Sequence, residues 1–154
     1  MKKGKLLLNN FDARIPKITI KPKSSRSKTV IHSKIYDENA RKVKAVRIVF
    51  DRVAAIEFCV NYFDGMIGAE AFGLYEIEDA DFIDSVVKRN FERRRDVYLL
   101  EGDYDYEPDE PADLLNVFDL TGTYRKKKGK YHAYVQNVDA GVYIIIAKGC
   151  QIVK

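Results

Sequence analysis

The part of the sequence that best predicts the fold is YHAYVQNVDAGVYIIIAK, residues 131–148. Aromatic and β-branched residues fill both halves of this stretch, and the Asp-Ala-Gly sequence at 139–141 is typical of a turn between two strands. The stretch therefore predicts a β-hairpin. In its second half, the three isoleucines at 144–146 do not alternate with polar residues, which indicates a strand buried on both faces.

The rest of the chain adds further strands and one helix. Strands are predicted at 29–36, 46–50 and 72–77 from β-branched content or from the alternation of apolar and polar residues. After them, apolar residues recur at helical spacing. They are Phe82, Ile83, Val86, Val87 and Phe91. We expect an α+β fold, with a curved antiparallel sheet or partly open barrel and one main helix.

The predicted helix has signals at both ends. Asp79 or Asp81 can cap its first turn, and the three arginines at 93–95 would suit the negative end of the helix dipole. Residues 97–100 are then predicted to form a short strand that leads into an acidic segment.

Length and composition indicate one domain preceded by a basic segment. The chain has 154 residues, of which 46% are hydrophobic and 32% charged. Residues 1–47 carry fourteen Lys and Arg against three Asp and Glu, whereas residues 48–154 carry thirteen against twenty. The Lys, Ser and Pro content predicts a basic, mobile N-terminal segment at 1–28, in which only 17–20 could form a short strand. A single α+β domain is predicted at 29–154.

The sequence predicts a cytoplasmic protein without a membrane span. The apolar stretch at 6–8 is far shorter than a signal-peptide core of about 7 to 15 residues, and no run approaches the roughly 20 apolar residues of a membrane helix. Cys59 and Cys150 are far apart and flanked by apolar or neutral residues, so we expect two reduced, packed thiols.

No catalytic signature is recognisable in the sequence, and we expect no enzymatic activity, no cofactor and no metal. The candidate zinc ligands lack the close spacing of structural zinc sites. They are His32, Cys59, His132 and Cys150. The acidic segment fails as an EF-hand loop, because Pro108 stands where that loop needs glycine.

The acidic segment is the most distinctive part of the sequence. Seven acids lie at 101–113, and no Lys or Arg occurs between Asp96 and Tyr124. Such a concentration of unneutralised charge cannot be buried, whereas tyrosines beside carboxylates are typical of surfaces that contact basic proteins. We expect this segment to bind a basic protein partner through six residues. They are Tyr104, Asp105, Tyr106, Glu107, Asp109 and Glu110.

The basic residues support an alternative, in which the chain is a nucleic-acid-binding accessory protein. The basic N-terminal segment and two clusters further along could contact phosphates, with Tyr124 and Tyr131 as stacking groups. The clusters consist of Arg93, Arg94, Arg95, Arg125, Lys126, Lys127, Lys128 and Lys130. In the rival interpretation, these residues only end a helix and fill an exposed loop.

Several stretches of the sequence carry a family resemblance. They are RIVFDRV at 47–53, GLYEIEDADFI at 73–83, YHAYV at 131–135 and YIIIA at 143–147. In these stretches the chain resembles small uncharacterised cytoplasmic proteins of bacteria, some of which are similar to immunity proteins of toxin systems. The resemblance covers roughly residues 43–148 and implies a single-domain, non-catalytic inhibitor that occludes a toxin. It assigns no individual binding residue.

The resemblance and the acidic segment together predict an immunity-type inhibitor of a basic, nuclease-like toxin. A toxin that attacks nucleic acid needs a basic cleft, and an acidic surface would find such a cleft rapidly by electrostatic steering. The sequence leaves open the identity of the partner and the oligomeric state.

Overall fold

The computed structural model describes residues 4–9, 13–21, 27–60, 70–100, 130–138 and 141–154. Within these residues the chain forms nine strands and one helix. In chain order they are β1 (Lys5–Leu8), β2 (Ala13–Lys21), β3 (Lys28–Asp37), β4 (Lys42–Asp51), β5 (Ala55–Val60), β6 (Glu70–Ile77), α1 (Ala80–Leu100), β7 (His132–Val138), β8 (Gly141–Ala147) and β9 (Gly149–Val153).

All of these strands join one antiparallel sheet. Its order is β5-β8-β7-β6-β2-β3-β4-β9, and β1 pairs with β6 beside β2. β4 pairs with β9, and β5 pairs with β8. Along the chain, only residues 52–54 separate β4 from β5, and only Lys148 separates β8 from β9. The ladder continues across both bends, since Lys148 N donates to Asp51 O at 3.1 Å and Ala54 N donates to Ile146 O at 2.8 Å. The sheet therefore curls along these two bent segments.

The predicted curved antiparallel sheet with one main helix is confirmed. The predicted α+β class overstates the helical part, because nine strands accompany a single helix in the described residues. The fold is mostly β.

Two apolar clusters cover the two faces of β8. Ile145 is fully buried in the cluster on the concave face, which also contains Phe50 of β4. Ile144 and Ile146 point the other way and belong to the cluster that includes Val86 of α1. The predicted burial of this strand on both faces is confirmed, because the helix covers the face that the curled sheet leaves open.

The helix begins where the sequence predicts and ends later. Phe82 N donates to Asp79 Oδ1 at 3.2 Å, so Asp79 is the N-cap. The predicted strand at 97–100 is wrong, since these residues are the last turn of α1. No Gly or Pro interrupts residues 80–100, and the Arg, Glu and Leu content beyond Asn90 favours continuation of the helix. The arginines at 93–95 therefore lie inside the helix rather than at its end.

The predicted N-terminal segment at 1–28 contributes two strands to the sheet. β1 pairs with β6, and β2 pairs with both β3 and β6. Ala13 and Ile15 of β2 are fully buried in the core. These parts of the segment therefore belong to the same sheet as the domain predicted at 29–154, whereas residues 22–26 lie outside the described part of the chain.

Candidate functional site

The six predicted partner-binding residues of the acidic segment all lie outside the described residues. They are Tyr104, Asp105, Tyr106, Glu107, Asp109 and Glu110. The same holds for the basic residues Arg125, Lys126, Lys127 and Lys128.

Parts of the other predicted basic clusters are described. Lys130 is exposed directly before β7. Arg93 of α1 is also exposed, and its Nη1 lies 3.8 Å from Oε1 of Glu57. The backbone of Arg94 and Arg95 continues α1.

The structure assembles a different group of cations, on the outer surface of β2, β3 and β4. Side chains alternate along a strand. The residues adjacent to the buried Ile15, Ile31 and Ile48 therefore point away from the core and toward this surface. Six exposed cationic side chains point outward there, and we call them the basic face. They are Arg14, Lys17, Lys21, Lys28, Lys34 and Arg47.

The basic face contains like charges placed directly opposite one another. Arg14 opposes Lys34 at one end of the β2–β3 ladder, and Lys21 opposes Lys28 at the other. Such pairs are destabilising, because opposed side chains of an antiparallel pair are only about 4.5 to 5.5 Å apart at Cβ. No cation of the basic face forms an ion pair with another described residue. Glu70 opposes Arg14 and Asp51 opposes Lys28 across the neighbouring strands, although neither carboxylate forms an ion pair with the cation it opposes. Six cations against these two carboxylates leave the face with an excess of positive charge.

The middle of the basic face is also basic and polar. His32 of β3 lies between Lys17 of β2 and Arg47 of β4, in one row across three strands. His32 Nε2 lies 3.4 Å from Thr19 Oγ1 of β2. A ligand on this row would meet cations at both sides and hydrogen-bonding groups at the centre.

A shallow depression of about 400 Å³ lies at the Arg14–Lys34 end of the basic face. Its lining residues are Arg14, Lys34, Tyr36, Val43 and Glu70. Tyr36 and Val43 oppose each other across β3 and β4, and they are 37% and 61% exposed. The depression therefore combines an exposed ring and an apolar side chain with two cations and one carboxylate.

A second polar cluster lies at the ends of β6 and β7. His132 Nδ1 is 3.3 Å from Glu76 Oε1 and 3.6 Å from Glu78 Oε1. Tyr134 donates a hydrogen bond to Glu76 Oε1 at 3.3 Å. These distances allow the three residues to hold a divalent cation, and groups of this kind are also common without one. Of the four candidate zinc ligands considered in the sequence, His132 belongs to this group, and the group's other two members are carboxylates.

The two cysteines differ in environment. Cys59 is exposed on β5, whereas burial and the nearby Glu76 raise the pKa of the Cys150 thiol to about 12. The reactive form of a cysteine is the thiolate, and the raised pKa disfavours this form in the half-buried Cys150.

Glu57 is a buried carboxylate with a structural partner. Its side chain is 2% exposed, and Arg89 of α1 donates to both of its oxygens, at 3.1 Å from Nε and 3.0 Å from Nη2. These hydrogen bonds raise the pKa of the Arg89 guanidinium. The pair fixes α1 against β5, because both oxygens of Glu57 accept a hydrogen bond from the same guanidinium.

The sequence analysis missed the basic face because it treated residues 1–28 as a segment apart from the domain. A usable signal is present in ARIPKITIK at 13–21, where apolar residues alternate with basic or polar ones except at Pro16. At this proline the β2–β3 register shifts, between Arg14 and Lys17, and the alternation changes phase.

Two wider observations complete the description. Within the described ranges, no helix has the length and apolar character required to cross a membrane. Comparisons of the chain with protein-family models, with curated proteins and with solved structures found no match.

Proposed function

We propose that this protein is a non-catalytic binding module whose basic face binds the phosphate backbone of a nucleic acid. The observation that carries this proposal is the concentration of six exposed cations on three adjacent strands, including two directly opposed like-charge pairs. Close like charges destabilise the sheet, and an external polyanion would relieve this repulsion.

The dimensions of the basic face suit an extended polyanion. β3 has ten residues, which corresponds to a length of about 33 Å. Same-face side chains follow one another at about 6.6 to 6.8 Å along a strand, close to the separation of successive phosphates in an extended nucleic acid strand. Several phosphates can therefore meet several cations at once.

The proposal is tested by the salt dependence of binding to a labelled oligonucleotide, measured by fluorescence anisotropy. Each phosphate contact on a single strand contributes about 0.7 to the slope of log affinity against log salt, so six contacts predict a slope of about −4. Affinity would then fall about 300-fold between 50 and 200 mM salt.

Variants locate the site. Replacing both Lys17 and Arg47 by Gln should reduce the magnitude of the slope by about 1.4. Lys88→Gln is the matched control, because Lys88 is an exposed cation on α1, outside the basic face. No binding at 50 mM salt, or equal losses in the variant and the control, would overturn the proposal.

A second candidate function is the immunity-type inhibition of a basic toxin. It is favoured by the sequence of the acidic segment, which has seven acids at 101–113 and no Lys or Arg from 97 to 123. Reversing Asp105, Glu107 and Asp109 to Lys should leave the melting temperature nearly unchanged and strongly weaken binding to a basic partner encoded by a neighbouring gene. Unchanged affinity in this triple variant would exclude the segment as the site.

We also propose a cytoplasmic location for either function. The two free cysteines fit a reducing compartment. Fractionation of cells that express the tagged protein tests this, and its recovery from the membrane or from the medium would contradict it.

A further inference from the structure

We infer that the basic face selects single-stranded nucleic acid, with one base stacked on Tyr36 in the depression and the flanking phosphates on Arg14 and Lys34. This inference rests on the proposed nucleic-acid binding and adds the class of ligand and the residue that recognises it.

An exposed aromatic ring, Tyr36, lies inside the cationic surface. Tyr36 and Lys34 lie on the same face of β3, and Arg14 is the cross-strand neighbour of Lys34. Single-strand binding proteins combine a positively charged track with aromatic side chains on which bases stack. The bases of a duplex are stacked on one another and cannot reach such a ring.

Glu70 adds a carboxylate to the depression. Glu70 of β6 opposes Arg14 of β2 and lines the depression with Tyr36 and Val43. Its carboxylate would repel a phosphate placed beside it, so the flanking phosphates are expected on the sides of Arg14 and Lys34 that face away from Glu70. The carboxylate can accept hydrogen bonds from the exocyclic amino group of a base, so a base fits there better than the backbone does.

The row of cations continues away from the depression. Along the β2–β3 ladder, the Arg14–Lys34 pair is followed by Lys17 beside His32 and then by the Lys21–Lys28 pair. The eight residues from Arg14 to Lys21 extend over about 23 Å. This length accommodates a few nucleotides of an extended single strand, with the base of one of them at Tyr36.

The absence of tryptophan from the chain allows a direct test of stacking. Tyr36→Trp introduces a single indole, whose fluorescence should be quenched by a 12-nucleotide single strand and unaffected by a blunt duplex of the same sequence. Tyr75→Trp is the matched control. Tyr75 is exposed to a similar degree, at 43%, and its strand β6 pairs with β1 and β7 at that position. The control should show no quenching.

Affinity measurements complete the test. Loss of one stacked base weakens binding about 5- to 150-fold, and we expect this loss in Tyr36→Ala for the single strand only. Tyr36→Phe retains the ring and should bind like the wild type, and Tyr75→Ala should also bind like the wild type. Melting curves of all variants check that the fold is intact.

The outcomes separate this inference from the proposal on which it rests. Three results together would overturn the inference and leave nucleic-acid binding in place. They are equal affinity for single strand and duplex, no effect of Tyr36→Ala, and a clear effect of the Lys17 and Arg47 variants. Equally tight binding of polyglutamate or of anionic lipid vesicles, with the same response to the variants, would overturn both. No binding to any oligonucleotide at 50 mM salt would also overturn both.

Discussion

Replacing Lys21 and Lys34 by glutamate should make the protein more stable and, at the same time, a weaker binder of nucleic acid. Each lysine directly opposes another cation in the β2–β3 ladder, Lys28 in one case and Arg14 in the other. The double variant turns two repulsive pairs into attractive ones without touching the core. Opposite changes in stability and binding are expected only if the charges are retained for a ligand.

The gain in stability can be worked from the two pairs. Opposed charges across an antiparallel ladder contribute about 0.2 to 1 kcal/mol, and solvent screening places exposed pairs in the lower part of this range. All four side chains are exposed, so we expect about 0.5 kcal/mol per pair. The pairs lie at opposite ends of the ladder and their effects should add, which gives a melting temperature about 2 to 4 °C higher.

The loss of binding follows from the counterion release that accompanies each phosphate contact. Between 1 M and 50 mM salt, one phosphate contact on a single strand raises the affinity about eightfold, and two contacts raise it about 60-fold. The double variant lacks two contacts, so at 50 mM salt it should bind weaker than the wild type by about this factor. The new carboxylates add repulsion to this loss.

Thermal melting at 50 mM and 1 M NaCl and anisotropy titrations measure the two effects. The gain in melting temperature should disappear at 1 M, where the Debye length is only about 3 Å. Lys88→Glu is the control for charge reversal. Lys88 lies 3.7 Å from Glu92 on α1, so its reversal should lower the stability slightly and leave binding nearly unchanged.

The reasoning is refuted if the double variant melts at or below the wild-type temperature at 50 mM salt and binds as well as the wild type. The first result would show that the opposed cations do not repel. The second would show that the basic face is not the binding site.

Three further predictions concern the core, the buried ion pair and the thiols. Ile145→Asp should unfold the protein, because it buries an unpaired charge in a domain with only about 5 to 15 kcal/mol of stability. A soluble variant that melts cooperatively would contradict the burial of β8. Arg89→Met should lower the free energy of unfolding in urea by about 3 kcal/mol, because the carboxylate of Glu57 loses its bidentate partner; a loss below about 1 kcal/mol would contradict this role. At pH 8 the folded protein should show one rapidly alkylated thiol, Cys59, because the raised pKa of Cys150 keeps that thiol protonated until the protein unfolds, and two rapid thiols would contradict its burial.

The elements that were predictable from the sequence are those with strong local signals. The hairpin at 131–148 shows strand composition on both sides of a turn, and the helix start shows a capping acid, Asp79, before an apolar repeat. Both signals lie within about 20 neighbouring residues, so they can be recognised without knowledge of the tertiary fold.

The wrong strand at 97–100 and the unrecognised length of β2 both arose where local signals were ambiguous. Residues 97–100 have an apolar composition that suits a strand or a helix equally, and the preceding turns of α1 decided in favour of the helix. β2 carries so many cations that its composition resembles a solvated segment. Its apolar residues are buried only because β3 and β6 pair with it.

The order of the amino acids was therefore sufficient for the antiparallel sheet, for the doubly buried strand β8 and for the asymmetry of charge along the chain, since these follow from local periodicity and composition. Only the tertiary structure decided that the N-terminal cations become one surface. Arg14 and Lys34 are distant in sequence. The pairing of β2 with β3, with its register shift at Pro16, places them opposite each other and beside Tyr36. A cation's neighbours across a sheet are set by strand register, which depends on the whole core and not on the residues next to it in the chain.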